Sequence, residues 1–440
     1  MGIAVAAVGS ALLLSRRAPW VVAVAAMLGA LGLGFASGAL RWSEGAQLEA
    51  AVQRTRGCDF EARVLEQAGG LGTLAALEAA TCTSGPMPPG NVFLDATPAP
   101  PVGAVVSGRG WLTTLGEDDF ALARRRAGGR ALLHPLSLEE AAPTGFWGAV
   151  ARVRSGFSAA AQRGLPPREA ALLLGLTVGD TSGFSVRDTE TFRASGLAHL
   201  LAVSGSNVAI VLGAVAMLSR RAAYRHRLAF TLAAVVAFVA IVGPDGSVLR
   251  AAVMGTVAML AGGWVRPVDP IHSLPFALLV LIATRPAMVT SAGLHLSAAA
   301  TLGIVVWSQA ICSRLSILPR PLAAPLGVTL AAQLGVAPLL ILLFERVSLV
   351  APASNVAAAP AVAVATLVGM VVAVLGPVAP GPASIVATAA RPALSWILWV
   401  ADESSSVSWA EVTVAPGWGW VLGAVVFVAC VLTLRGRSPA

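Results

Sequence analysis

Apolar positions gather in two tracts, residues 1–40 and 170–440, separated by a more polar block. Residues 18–40 (APWVVAVAAMLGALGLGFASGAL) contain no charge and are long enough to cross about 30 Å of hydrocarbon at roughly 1.5 Å per residue. Further apolar runs predict spans near 198–218, 228–243, 247–264, 273–289, 293–311, 322–344, 354–376, 383–400 and 416–434. With the short run at 1–14 they total about eleven transmembrane or re-entrant helices, the 228–264 pair being short enough to be re-entrant. Residues 41–142 differ: short alternating runs (FEARVLE, GNVFLDA, GAVVSGRGWL, GRALLHPL) are broken by SGPMPPG and TPAPPVG, the pattern of a small β-rich domain. Residues 143–169 set Phe146, Trp147, Val150, Val153 and Phe157 at helical spacing, with Arg152, Arg154, Arg163 and Arg168 between them. That predicts an amphipathic helix, lying in the headgroup plane or packed as a linker on the polar block. The expected fold class is an all-α polytopic membrane protein with an inserted β-rich domain, its channel-like helical part running from 170 to 440.

Composition agrees: 56% of residues are hydrophobic and 12% charged, against roughly 25% charged in ordinary soluble domains. The mean hydropathy is +0.78. The net charge of +8 comes from arginines, many in short loops beside apolar runs, which marks cytoplasmic loops rather than nucleic-acid binding. Placing the most basic loop, SRRAAYRHR at 219–227, in the cytoplasm puts Arg16, Arg17, Arg266, Arg314, Arg320, Arg435 and Arg437 there too, with Asp402, Glu403 and Glu411 outside. The polar block is then extracytoplasmic and the C-terminus cytoplasmic. A cleaved signal peptide ending at Ala36-Ser37-Gly38 is the competing reading of the first tract. An outer location would allow Cys58 and Cys82, both in the polar block, to join as a disulfide. Trp396, Trp399, Trp409, Trp418 and Trp420 cluster near the last two spans, as a belt at the membrane interface would.

Candidate chemistry concentrates in residues 171–211. His199, Ser204, Gly205, Ser206 and Asn207 stand together just inside an apolar run. Polar groups there cost free energy unless protein or water satisfies them. An interrupted helix lining a wet cavity would do so, and so would hydrogen bonds to neighbouring helices. Arg193, ahead of this cluster, and Arg250, at a helix start inside GSVLRAAV, are further candidates for a polar path. Glu345 with Arg346 suggests an ion pair, Gln333 and Asn355 interhelical hydrogen bonds or path lining, and Asp180 a cap.

GLAHLLAVSGSNVAIV, at 196–211, resembles the signature of the ComEC-type competence proteins, membrane channels that pass single-stranded DNA into bacteria, whose pattern runs close to GxxHLLAVSGLHV. GDTSGFSVRDTETFRASG, PDGSVLRAAVMG and TLAAQLGVAPLLILLFERVSLVAPASNVAAAP match in the same order, so the resemblance covers roughly residues 165–375. It implies a single-stranded DNA channel of the bacterial cytoplasmic membrane, with an outer domain resembling an oligonucleotide-binding barrel. The implied partners, besides single-stranded DNA and the lipid bilayer, are an outer DNA receptor, a cytoplasmic motor ATPase, a separate nuclease and a second copy of the chain. Two departures stand out: Asn207 where the family often has histidine, and His295 in GLHLSA where it often has glutamine. Many members also carry a C-terminal metallo-β-lactamase-like domain. Here no HxHxDH cluster occurs and His134, His199, His226, His272 and His295 are scattered, so no metal site, no cofactor and no built-in nuclease are expected.

Two other functions compete. Ser204 with His199 or His295 as base would suit an intramembrane serine hydrolase, although such motifs need glycine where Ala202 stands. Broken helices would also suit a small-solute permease, without paired broken segments in two halves to support it. No GxxxxGK[ST] loop occurs, so nucleotide hydrolysis is not expected of this chain.

Overall fold

The computed structural model describes residues 47–414, apart from 53–56, 68–71, 97–98, 117, 119–120, 122–123, 126–127, 202–204, 244, 261–269, 286–287 and 290. The spans expected at 18–40 and 416–434 lie outside the described residues.

Alternation in the polar block becomes a closed barrel. In β1 (Cys58–Gln67), Cys58, Phe60, Ala62 and Val64 point into a core while Asp59, Glu61 and Arg63 point outward, the period-two pattern of a half-buried strand. β1 pairs antiparallel with β2 (Thr73–Cys82), which pairs with the two-residue β3 (Gly85–Pro86) and with β4 (Gly90–Leu94). β4 runs parallel to β6 (Ala131–Pro135), β6 antiparallel to β5 (Val105–Thr114), and β5 returns to β1. β7 (Glu139–Ala141) adds to the start of β5. Leu48, from a helical segment at 47–52, is buried in the barrel core with Phe60, Val92, Val106 and Leu133. Cys58 and Cys82 face each other in the β1–β2 register and form a disulfide.

Twelve helices follow among the described residues: α1 (Gly145–Gly164), α2 (Pro167–Val178), α3 (Val186–Ala194), α4 (Gly205–Leu218), α5 (Tyr224–Val242), α6 (Gly246–Leu260), α7 (Pro270–Thr284), α8 (Ala292–Arg314), α9 (Arg320–Phe344), α10 (Ala351–Leu375), α11 (Pro380–Ala389) and α12 (Arg391–Ser406). Four stretches, Arg225–Val242, Ala292–Arg314, Leu322–Phe344 and Ala351–Leu375, are long and apolar enough to cross a membrane, and α11 with α12 makes a fifth if that pair, bent by 48°, is one span. The bend falls where Pro392 opens α12, a position that proline favours. Asn207–Leu218, Gly246–Ala258 and Ser273–Thr284 are apolar but shorter. Leu302, Val328, Phe344, Val364, Leu367 and Val371 on α8, α9 and α10 are exposed, a scale of apolar exposure that suits lipid rather than water. The protein is therefore a multi-pass membrane protein with a small barrel domain ahead of its helical part.

α2 lies at the centre of the helical core, every residue from Ala170 to Val178 being buried. The amphipathic helix expected at 143–169 is α1, whose buried Phe157, Ala160 and Ala161 share a core with α2, α10 and α11. α8 and α9 meet through Gly303 and Gly335: a Cβ on Gly303 would stand 3.0 Å from the Gly335 Cα, the close backbone approach that small residues give membrane helices. A two-stranded sheet of β8 (Arg346–Ser348) and β9 (Glu411–Thr413) ties the α9–α10 connection to the segment after α12.

Candidate functional site

The signature segment is built around a break between two helices. α3 ends at Gly196, whose φ of +75° lies in the left-handed region that glycine tolerates. The chain then makes a 3₁₀ turn, Ala198–Leu200, before α4 starts at Gly205. Leu197, Leu200 and Leu201 anchor the turn in the core. His199 between them is exposed. Two cavities of about 460 and 410 Å³ lie elsewhere, beside Cys312 and beside Met217.

The other members of the cluster divide. Ser204, and the side chain of Ser206, lie outside the described residues. Asn207 is buried, and its side-chain N–H donates to the Leu176 carbonyl at 2.7 Å. Leu176 is in the last turn of α2, where carbonyls lack intrahelical partners. Asn207 thus satisfies a buried helix end rather than facing a cavity.

Arg250 on α6 is only 8% exposed. Its Nε donates to the Ser297 hydroxyl of α8 at 3.0 Å and its Nη1 to the Met254 sulfur at 3.2 Å. Its Nη2 stands 3.0 Å from where a Cβ on Gly205 would be. Three elements, α4, α6 and α8, therefore converge on one guanidinium, and no carboxylate lies within 4 Å of it among the described residues. His295, two residues before Ser297, is half-buried in the first turn of α8.

Arg193, Gln333 and Asn355 sit apart from that convergence. Arg193 belongs to an exposed cluster, pairing with Glu190 at 2.8 Å. Arg346 also pairs with Glu190, at 3.0 Å, and approaches Glu411 at 3.9 Å. The pair expected between Arg346 and Glu345 is thus replaced: Glu345 takes a left-handed conformation, φ +55°, to end α9, and Arg346 enters β8 facing Glu190. Gln333 donates to the Ser348 carbonyl at 3.3 Å, and the Ser348 hydroxyl to the Ala194 carbonyl at 2.7 Å, so α9, β8 and α3 are stitched in series. Asn355 donates to Ala351 one turn earlier on its own helix. Asp180, expected as a cap, accepts from Ser182 in a turn, and α3 is capped instead by Ser185 and Asp188, each bonding the other's backbone N–H.

Sequence reasoning missed one polar node. Arg168 at the start of α2 donates to Asp188 of α3 at 2.7 Å and to both carboxylate oxygens of Asp402 on α12 at 2.7 and 2.8 Å. The Ser-x-x-Asp spacing at 185–188 was a readable signal for α3, whereas nothing local connects residues 168 and 402. Among the described residues no three His, Cys, Asp or Glu side chains gather as a metal site would require.

Residues 176–439 match the family described as "Competence protein". The chain is 31% identical over 216 residues to ComE operon protein 3 of Bacillus subtilis (strain 168), a stretch that is 48% of this chain and 27% of that protein. It thus spans about a quarter of that relative's length. No solved structure matches it. Since the matched region takes in the signature, the Arg250 convergence and more than half of the chain, the chain belongs to the competence protein family.

Proposed function

We propose that this protein conducts single-stranded DNA across the bacterial cytoplasmic membrane during natural transformation. The observation that carries the reading is His199: in the middle of the family signature, at a break between helices, its imidazole is exposed rather than packed in the core. A conduit needs such a polar wall screened from lipid. Arg250 supplies a cation beside the start of α4, as binding to a phosphate backbone requires. The chain acts as a channel and not as an enzyme, with about eleven transmembrane or re-entrant helices once 1–14, 18–40 and 416–434 are counted, its barrel outside and its C-terminus in the cytoplasm.

The barrel's closing order, β1–β2–β4–β6–β5–β1 with its single parallel pair, supports an oligonucleotide-binding-like domain. Residues 57–141 carry ten Asp and Glu against six Arg, so a strand meets little net attraction there. Trp111, 40% exposed and stacked on His134 at 5.2 Å, offers a base-stacking surface instead. An outer receptor delivers the strand, a cytoplasmic motor ATPase pulls it, a separate nuclease degrades its complement, and the chain works as a homodimer.

Disruption of the gene tests the physiological role, since transformation frequency then falls to background while growth is unchanged. Vesicles containing the purified full chain test the cargo. Entry of labelled single-stranded oligonucleotide supports the reading, whereas entry of small metabolites without oligonucleotide replaces it with the permease.

A further inference from the structure

We infer that the loop leaving α4 holds the headgroup of one anionic phospholipid, whose acyl chains lie along the apolar end of that helix. The inference stands whether or not the protein conducts DNA. The cavity of about 410 Å³ is lined by Met217, Leu218, Arg220 and Arg221, so two apolar side chains and two cations border one space. Met217 is 66% and Leu218 82% exposed, and both arginines are exposed as well. Neither guanidinium lies within 4 Å of a carboxylate among the described residues. The α4 end is closed without them: Ser219 donates both its backbone N–H and its hydroxyl to the Val215 carbonyl, at 2.8 and 2.6 Å.

α4 is apolar from Val208 to Leu218, and the exposure of its last two side chains suits hydrocarbon rather than water. Arg220 and Arg221 follow directly after Ser219, so hydrocarbon gives way to headgroups at this point of the chain. A zwitterionic headgroup brings its own cation and gains little from two more. An anionic phospholipid offers a phosphate for charge-assisted bonds to a guanidinium fork, and hydrocarbon for Met217 and Leu218. The cavity beside Cys312 lacks that combination, because Ser313, Ser316, Leu318, Ala323 and Ala324 line it without a charge. At roughly 1.5 Å per residue the fourteen residues of α4 reach about 21 Å, short of about 30 Å of hydrocarbon. A lipid bound at the arginine end fixes that end at the surface, so Gly205 and the signature break stay within the membrane.

Quenching by brominated lipid tests the site. In the full chain with Cys312 and Cys430 changed to alanine and the Cys58–Cys82 bond intact, Gly213→Cys carries a fluorophore one turn before Met217, at a position with nothing within 4 Å. The protein is reconstituted in phosphatidylcholine vesicles that contain brominated phosphatidylglycerol or, at the same mole fraction, brominated phosphatidylcholine. Two arginines should enrich the anionic lipid at the label roughly tenfold over the zwitterionic one. Arg220→Gln with Arg221→Gln should bring the two lipids nearly level. Arg225→Gln removes a charge from the same loop but no part of the cavity lining, and should change little. Should the double variant fail to accumulate, Arg221→Gln alone carries the test, with a fall of about threefold. Soluble glycerol phosphate in excess should leave the quenching as it was. Equal quenching by the two lipids, a preference that survives the loss of both arginines, or an equal fall with Arg225→Gln would each overturn the site. Displacement by glycerol phosphate would overturn it too, in favour of a seat for a soluble phosphate.

Discussion

The amide of Asn207 reaches 2.7 Å across a helix boundary to the carbonyl of Leu176, so the first turn of α4 is fastened to the last turn of α2 inside the core. Replacing Asn207 by leucine removes the donor and leaves a buried carbonyl unsatisfied, at a cost of about 1–3 kcal/mol. Thermal unfolding in detergent should register that loss. Asn207→His, which keeps an N–H, should lose less. Uptake per molecule of protein in the membrane should stay level in both variants, and a selective loss of uptake would return Asn207 to the DNA path.

Gly196, past the end of α3, packs against Ala351 at the start of α10. A Cβ on Gly196 would stand 2.8 Å from the Ala351 Cα, with φ already at +75°. Gly196→Ala therefore combines left-handed strain with overpacking, together about 2–5 kcal/mol. Most of the variant should be degraded before it accumulates, as quantitative immunoblotting of membranes would show. Gly213→Ala, where nothing stands within 4 Å, is the matched control and should accumulate normally.

Asp188 ties acid sensitivity to the polar node. Burial opposes its ionisation, but hydrogen bonds from Ser185 and then from Arg168 outweigh burial and hold the carboxyl below the usual carboxylate range. A depressed folded-state value contributes stability that is fully present above the unfolded value, about 4, and is lost as pH falls through the lower folded value. Asp188→Asn should cost on the order of 1 kcal/mol at neutral pH, discounted because the Arg168 side chain is over a third exposed. Melting temperatures from about pH 7 down to pH 3 should converge for the two proteins. Parallel curves would detach Asp188 from the acid response.

How much of this was readable in the chain depends on how local each cause is. Alternation in FEARVLE and GRALLHPL announced β1 and β6 because facing is a two-residue property. The return of β5 to β1 and the parallel β4–β6 pair join residues far apart in sequence, and no local pattern encodes them. The apolar runs marked the helices, but α2, apolar on all sides, had no period to distinguish a buried core helix from the lead-in to a span. At the site, the Arg250 charge in GSVLRAAV stood out in the sequence. Its partners Ser297 and Met254, one of them forty-seven residues away, come from packing. Asn207 was ambiguous from sequence because an amide serves a wet wall and a dry helix end equally well, and only the position of Leu176 decides between them.

The Cys58–Cys82 bond closes the open end of the β1–β2 pair. Its loss should lower barrel stability by about 2–4 kcal/mol. Cys58→Ala with Cys82→Ala should make the barrel strands more susceptible to limited proteolysis while leaving the helical part intact. Intact-mass analysis after alkylation without reductant should show neither cysteine modified in the native protein. Two modified thiols would argue against the oxidising, outer location proposed for this domain.

Arg250 carries the sharpest functional expectation. Changing it to glutamate reverses the charge beside the α4 N-terminus and presents a carboxylate to an incoming phosphate, so DNA uptake should fall. The loss of one charge-assisted hydrogen bond, roughly 1.5–3 kcal/mol, corresponds to at least about a tenfold drop. Glutamate at a helix N-terminus is itself favourable, so a fall in uptake at normal abundance would report on the strand rather than on folding. Arg250→Gln, which removes charge without reversing it, should lie between the native protein and Arg250→Glu. Arg250→Lys keeps the charge but loses the planar fork that reaches Ser297 and the Gly205 end together, and should also lie between them. Uptake of labelled DNA normalised to protein in the membrane ranks the four. If all take up DNA equally at equal abundance, Arg250 is a structural cation, and the strand crosses by a route that does not touch it.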